Sequence, residues 1–423
     1  MGNLGLPVDP VIRFRAVPLK FGIGVLDEIG YELTNLGAKR ILIVTDKNVI
    51  ENTKIIEKTQ SNIEEKGLTV KVWDEVQPEP SASSILKGIE FAKAVDYDCI
   101  LAIGGGSSID TGKAMNLYTC YPADLYDYFI RPMGKGVKIP RPLKPLIAVP
   151  TTSGTGSETT GVAVMTFPER KTKYGLSSPN LIPTLAVLDP LVTLTMPPSV
   201  TANSGMDALM HAIEGFTSRP YDTKPKPDKL EDRSVYQGSN PITDALSERA
   251  IEMIGKYLLR AYANGHDLEA RSNMHLAASI AGLAFGNAGV HVPHALSYPI
   301  AGEIMGRQAT IPHGLAVSIT GPATLKVMAP YIKEKCLRIA QLLGEDVNES
   351  SPSDGALKAS EILIKMMKAL NFPNGISEMG FKKSDIPDLA ENTLMQRRIL
   401  PLSPITVSKK LLEMILEESL QYW

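Results

Sequence analysis

Between residues 12 and 190 the sequence alternates between two hydrophobic periods, and few folds accommodate that alternation. Short β-branched runs recur at 41–45, 69–73, 99–103 and 146–149, with longer amphipathic stretches between them near 25–36, 49–66, 84–94 and 109–119. Strand–helix alternation reads as a parallel sheet with helices on its faces. Residues 162–167 and the limb opening at Lys171 and Lys173 read as a hairpin, and 185–189 as the last strand of this half. Past Pro190 the texture changes. Met196-Pro197-Pro198 marks a boundary, and helical periodicity then dominates, at 241–262, 268–285, 314–328, 331–343 and 355–370. Residues 221–238, rich in proline and charge, read as an exposed loop. With 423 residues the chain is long enough for two domains with sizeable cores, divided at 1–192 and 193–423.

Parallel sheets bind ligands beyond the carboxyl ends of their strands. After Ile103 comes Gly104-Gly105-Gly106-Ser107-Ser108-Ile109-Asp110, opening a helix. Consecutive glycines let backbone amides approach an anion, and a helix N-terminus favours negative charge. The segment reads as a diphosphate cradle, although a ligand-free turn has the same composition. It is not GxGxxG, and Ala114 after Lys113 excludes a Walker A loop. After Val149 comes Pro150-Thr151-Thr152-Ser153-Gly154-Thr155-Gly156-Ser157-Glu158, a second strand end crowded with hydroxyls and glycines. Asp46 closes the first run. It either accepts bonds from the hydroxyls of an adenosine ribose, favouring NAD over NADP, or caps the helix that follows. Lys173 meets phosphate or faces water.

The second half holds a different chemistry. Asp207 and His211 are four apart in a proline-free stretch of good helix formers, so they share a helix face. A buried carboxylate needs a partner, and a divalent ion is one. An acid near a helix start plus an unrelated histidine is the plainer reading. Three of the six histidines, however, fall within residues 291–313: His291, His294 and His313. One aspartate with three neutral imidazoles suits Fe(II), Zn(II) or a similar borderline ion. His266, in a turn, and His275, at the start of an Ala- and Gly-rich stretch, read as structural.

The remaining composition excludes more than it assigns. A net charge of −2 without a long basic run argues against nucleic acid or an anionic membrane as the main partner. Cys99, Cys120 and Cys336 have no CxxC spacing, which suggests a reducing compartment and no thiolate metal site. No apolar run approaches the ~20 residues of a membrane span. The first ten residues lack a basic and an apolar region, so no signal peptide is read and a cytoplasmic, not mitochondrial, location is expected.

In this order, Gly104-Gly-Gly-Ser, the 150–158 segment, Asp207-x3-His211 and Pro312-His313-Gly314 resemble the iron-containing (group III) alcohol dehydrogenases over nearly the whole chain. More narrowly, residues 286–300, Tyr236-Gln-Gly-Ser-Asn-Pro241 and 152–161 resemble the hydroxyacid–oxoacid transhydrogenase branch. That branch passes a hydride from 4-hydroxybutyrate to 2-oxoglutarate through a bound nicotinamide. The resemblance implies a Rossmann-like α/β dinucleotide-binding domain followed by an all-α metal-binding domain, an architecture shared with dehydroquinate synthases, with the site in the cleft between. It implies metal ligands at Asp207, His211, His294 and His313. It implies cofactor contacts at Asp46, Gly105, Gly106, Ser107, Thr151, Thr152 and Lys173, with Fe(II) or Zn and NAD as cofactors, and a homodimer. Where many members carry a further histidine one turn after the third ligand, this chain has Tyr298, and His291 lies on the other side of His294. Either could relay the proton released when a hydroxyl is oxidised.

Three rivals stay open: a dehydrogenase with exchangeable NAD acting on small alcohols or aldehydes, a lyase or synthase of the dehydroquinate synthase type, and a non-catalytic scaffold. No arginine or lysine stands out in the sequence as a receptor for a substrate carboxylate.

Overall fold

A computed structural model describes residues 8–131, 133–170, 172–230, 233–306, 309–347 and 352–423. Lys171 and the first seven residues, on which part of the leader reading fell, lie outside them. The chain forms two compact units.

The first comprises residues 16–204 and 260–282. Its strands are β1 (Leu19–Phe21), β2 (Arg40–Val44), β3 (Thr69–Trp73), β4 (Cys99–Gly104), β5 (Leu146–Pro150), β6 (Val162–Phe167), β7 (Thr172–Ser177) and β8 (Leu185–Leu188). Six of them form one sheet in the order β1-β8-β5-β4-β2-β3, every pair parallel, while β6 and β7 form an antiparallel hairpin. Its helices are α1 (Ile29–Asn35), α2 (Lys47–Asn52), α3 (Ile55–Glu64), α4 (Ala82–Ala94) and α5 (Gly106–Cys120).

Successive strand residues point to opposite faces, and here both faces are apolar. Leu42, Val44, Ile100 and Ala102 join one core with Ile85, Ile89 and Met115 of α4 and α5. Their neighbours Ile41, Ile43, Leu101 and Ile103 join the other, with Ile29, Leu33, Ile56 and Ile63 of α1 and α3. The chain leaves β2 toward β3 at one edge and returns through α4 to β4 on the other side of β2. The ends of β2 and β4 therefore flank the point where strand order reverses, the place such sheets reserve for ligands.

The second unit contains described residues of 8–15, 205–259 and 283–423 and is helical. The helices after the sheet are α6 (Pro198–Thr217), α7 (Pro241–Ala263), α8 (Leu268–Ala288), α9 (Val292–Gly306), α10 (His313–Ser318), α11 (Gly321–Met328), α12 (Lys333–Leu342), α13 (Pro352–Ala369), α14 (Ile386–Thr393) and α15 (Lys409–Glu418). The fold class is the one the sequence predicts. The stretch at 314–328 is broken at Gly321-Pro322 into α10 and α11, because a proline has no N–H to continue a helix.

The expected loop at 221–238 is exposed only in its first part. Arg233 donates to both oxygens of Asp9, at 2.7 and 2.9 Å, and Gln237 Oε1 accepts from Arg13 N at 2.6 Å. Tyr236 and Gln237 are buried. Among the described residues no single helix is long and apolar enough to cross a bilayer. The three cysteines form no disulfide.

Candidate metal centre and strand-end loops

Helix α6 is apolar on nearly every side, so an acid on it stands in hydrocarbon. Asp207 and Glu214 do so, two turns apart, both buried. Asp207 Oδ1 lies 3.8 Å from His294 Nε2 on α9 and 4.0 Å from His313 Nε2 at the first residue of α10. One ligand atom from each of the three residues lies within 4.8 Å of the other two. That spacing surrounds a single cation with one charged oxygen and two imidazoles after a small contraction, since metal–ligand bonds are about 2.0–2.2 Å.

His211, the fourth expected ligand, lies beside this group without joining it. Its Nδ1 is 3.8 Å from the other oxygen of Asp207. Its ring stacks on Phe285 at 4.0 Å and on His294 at 4.5 Å between centroids.

Glu214 escaped the sequence reading. It follows His211 by one turn and projects toward α9. Its Oε1 is 2.5 Å from His294 Nδ1, and its Oε2 accepts from the backbone N–H of His291 at 2.6 Å. A proton on Nδ1 serves that contact and leaves the lone pair on Nε2, which is buried and has no hydrogen-bond partner among the described residues. An orphaned nitrogen aimed at a carboxylate fits a metal ion. Burial disfavours the imidazolium of His294, but Glu214 and Asp207 outweigh it and raise its pKa. Burial pushes the Glu214 carboxyl up, yet the imidazoles of His294 and His291 hold it below the usual range. The pocket thus attracts positive charge, and a borderline divalent ion suits its donors.

The two relay candidates have different surroundings. His291 Nε2 is 3.0 Å from Thr217 Oγ1, and its Nδ1 is 3.9 Å from Glu214 Oε2. Burial lowers its pKa to about 4, so it is neutral at neutral pH. Tyr298, one turn after His294, lays its ring parallel to His313 at 6.4 Å, and burial raises its pKa.

In the sheet unit, the loops after β4 and β5 are neighbours because their strands are. Thr151 N donates to Gly104 O at 3.0 Å. Gly104 has φ +152°, and a Cβ there would strike Ser108. A Cβ on Gly106 would come within 2.8 Å of Thr155, while Gly105 faces Thr152 at 3.6 Å. Ser107 opens α5 beside them. Lys113 fixes this arrangement from beneath: its buried ammonium donates to the carbonyls of Ser157, Thr160 and Val162, at 2.6–2.9 Å, and to Ser157 Oγ at 3.0 Å. Desolvation lowers its pKa to about 8 despite nearby Asp110 and Glu158.

Asp46 is a helix cap. Its Oδ1 accepts from Val49 N at 3.2 Å, and its Oδ2 accepts from Ser108 Oγ at 3.3 Å. Lys173 does not face water: it is buried on β7 and ion-paired with Glu79. His275 is structural, as expected, buried with Nδ1 3.2 Å from Ser153 Oγ. The glycine of α8 at 282 leaves no room for a Cβ against Gly156 and Thr159, which explains the small residues of that helix.

A family model described as iron-containing alcohol dehydrogenase matches residues 17–190, and one for the C-terminal part of the Fe-containing family matches 201–420. The mitochondrial hydroxyacid-oxoacid transhydrogenase of Bos taurus is 42% identical over 99% of this chain and 92% of its own length. Among solved structures, 1,3-propanediol oxidoreductase has TM-score 0.86 at 30% identity, covering 97% of this chain and all (100%) of that one. Sulfoacetaldehyde reductase from Bifidobacterium kashiwanohense, in complex with NAD+, has TM-score 0.80 at 27% identity, covering 97% and 99%. These findings correct one expectation. The cytoplasmic location read from the N-terminus is overturned, because the relatives that match nearly the whole chain are named as mitochondrial.

Proposed function

We propose that this chain, which belongs to the iron-containing alcohol dehydrogenase family and is an oxidoreductase of hydroxy acids or alcohols that uses iron and NAD, is a hydroxyacid–oxoacid transhydrogenase. It moves a hydride from 4-hydroxybutyrate to 2-oxoglutarate, giving succinate semialdehyde and 2-hydroxyglutarate, with a nicotinamide that stays bound as carrier. The observation that carries the reading is the pocket of buried Asp207 and His294 and half-buried His313, with Glu214 behind it. Identity of 42% with named transhydrogenases supports the branch.

Iron held by Asp207, His294 and His313, with His211 as fourth ligand, would supply Lewis acidity at the substrate oxygen, and NAD would accept the hydride. Glu214 fixes the His294 tautomer so that Nε2 is offered to the pocket. Phe285 covers one face of His211 and keeps water from it. Tyr298 relays the hydroxyl proton, its phenol giving up its own proton as it accepts one, whereas neutral His291 braces Thr217 and Glu214.

In the sheet unit, the amides of Gly105, Gly106 and Ser107 and the hydroxyls of Thr151 and Thr152 hold the diphosphate. Asp46 keeps lone pairs beyond its cap for a ribose hydroxyl. Lys173 reaches the cofactor only by giving up Glu79, so its part is to support the hairpin. A homodimer belongs to this reading.

The test is to give iron-loaded protein 4-hydroxybutyrate with NAD alone, then add 2-oxoglutarate. The expected result is a single-turnover reduction of bound cofactor, followed by equal yields of succinate semialdehyde and 2-hydroxyglutarate. Sustained NADH accumulation without an oxoacid would make the enzyme a conventional dehydrogenase.

A further inference from the structure

Both substrates of the proposed reaction end in a carboxylate, and the helical unit contains a cation suited to it that the sequence did not reveal. Arg398 lies between α14 and the 3-10 turn Leu400–Leu402 and is partly buried. Its Nη1 donates to Tyr236 Oη at 2.8 Å, and its Nη2 is 3.4 Å from Tyr298 Oη. The guanidinium carbon sits 5.6 Å from the centre of the Tyr236 ring. Both phenols are buried, and burial raises the pKa of Tyr298.

Among the described residues no carboxylate pairs with Arg398. Two other arginines of the unit differ in this respect. Arg233 is matched by Asp9, and Arg338 by Glu248. In the sheet unit, buried Arg271 also has no acid among the described residues, but all three of its nitrogens donate to oxygens, those of Gly265, Thr201 and Met196. Arg398 uses two of its five N–H groups and keeps a charge partly out of water without an anion.

Its position gives that charge a use. Tyr298 is one turn after His294, its ring lies parallel to His313, and its hydroxyl reaches Arg398. One side chain thus separates the guanidinium from a metal-pocket imidazole. The Tyr236 hydroxyl, accepting from Arg398, is left to donate its own proton toward the same anion.

We infer that Arg398 receives the substrate carboxylate and sets the preference of the metal pocket for hydroxy- and oxoacids over uncharged alcohols. The inference rests on the proposed transhydrogenase reading. The planar fork of a guanidinium matches a carboxylate with two parallel hydrogen bonds, which an ammonium does not reproduce.

The test compares wild type, Arg398→Met and Arg398→Lys as iron-loaded proteins of equal metal content and melting temperature. Turnover of 4-hydroxybutyrate is measured against 1-butanol, and the binding of glutarate, which cannot be oxidised, by calorimetry. R398M is expected to lower kcat/KM for 4-hydroxybutyrate by about 100-fold, chiefly through KM, and to weaken glutarate at least ~10-fold. Its rate on 1-butanol changes less than ~3-fold, and R398K recovers part of the loss. Should R398M not fold, glutarate is expected to protect Arg398 of the wild-type holoenzyme from phenylglyoxal, read by mass spectrometry. Equal losses on both substrates, or no protection, would overturn the role of Arg398 alone. A wild type that prefers 1-butanol and ignores glutarate would overturn the substrate reading as well.

Discussion

Glu214 Oε1 lies 2.5 Å from His294 Nδ1, and this one contact decides which nitrogen of the ring meets the pocket. Replacing the carboxylate by an amide keeps the shape and removes the charge. Glu214→Gln is expected to weaken iron binding about 10–100-fold. Competition with a calibrated chelator measures it, and an unchanged affinity would show that the tautomer is set elsewhere.

Tyr298 and His291 make opposite predictions. Tyr298→Phe removes the hydroxyl of the ring that lies parallel to His313 and is expected to lower kcat about 100-fold and to flatten one limb of the pH–rate profile. His291→Gln is expected to leave that profile in place, because the ring it replaces is neutral and turned toward Thr217. Superimposable profiles for Tyr298→Phe and wild type would remove Tyr298 from the proton path.

The close approach of Gly106 to Thr155 predicts a steric test of the cofactor cradle. Gly106→Ala puts a methyl within 2.8 Å of the Thr155 side chain. Displacing that loop is expected to raise the Kd for NAD about 10-fold, some 1.4 kcal/mol. Adding Thr155→Ala removes the two nearest atoms and is expected to restore part of the binding. Failure of the second change to rescue the first would mean that the two loops do not act as one site.

His275 predicts a pH dependence of stability. Burial lowers its pKa to about 4, against 6.5 in the ordinary case. Between these values the unfolded chain binds a proton that the folded chain refuses, so stability falls as pH drops from about 6.5 to 4 and changes no further from this residue below that. The full effect is about 3 kcal/mol. His275→Asn should flatten this part of the melting temperature–pH curve. Parallel curves for the two proteins would show that the imidazole is charged in the folded state.

The sheet was legible because its strands, buried on both faces, are runs such as Ile41-Leu-Ile-Val44 that can be little else. Strand β1 was not, since three residues carry no period and its pairing partner is more than 160 residues away. Helix α9 was hidden by Pro299, which sits inside it. At the metal pocket, residue type was the signal: histidine and aspartate in apolar sequence are rare enough to notice. Glu214 carried no such mark. Glutamate favours helices anyway, and nothing in the local sequence reveals that its carboxylate is buried against His294. Arg398 was less visible still, because the contacts that single it out come from Tyr236 and Tyr298, 162 and 100 residues earlier.

The side chains of Asp207 and His294 are 3% and 4% exposed, but that of His313 is 28%. An ion held by all three would have one movable wall. Aspartate and the inner imidazole sit on long helices and yield only when α6 or α9 does, whereas His313 begins a helix of six residues. Exchange of iron with the surroundings would then run at the speed of a single swinging ring. A protein with His313 replaced would differ from its parent less in how fast it captures the ion than in how soon it lets it go.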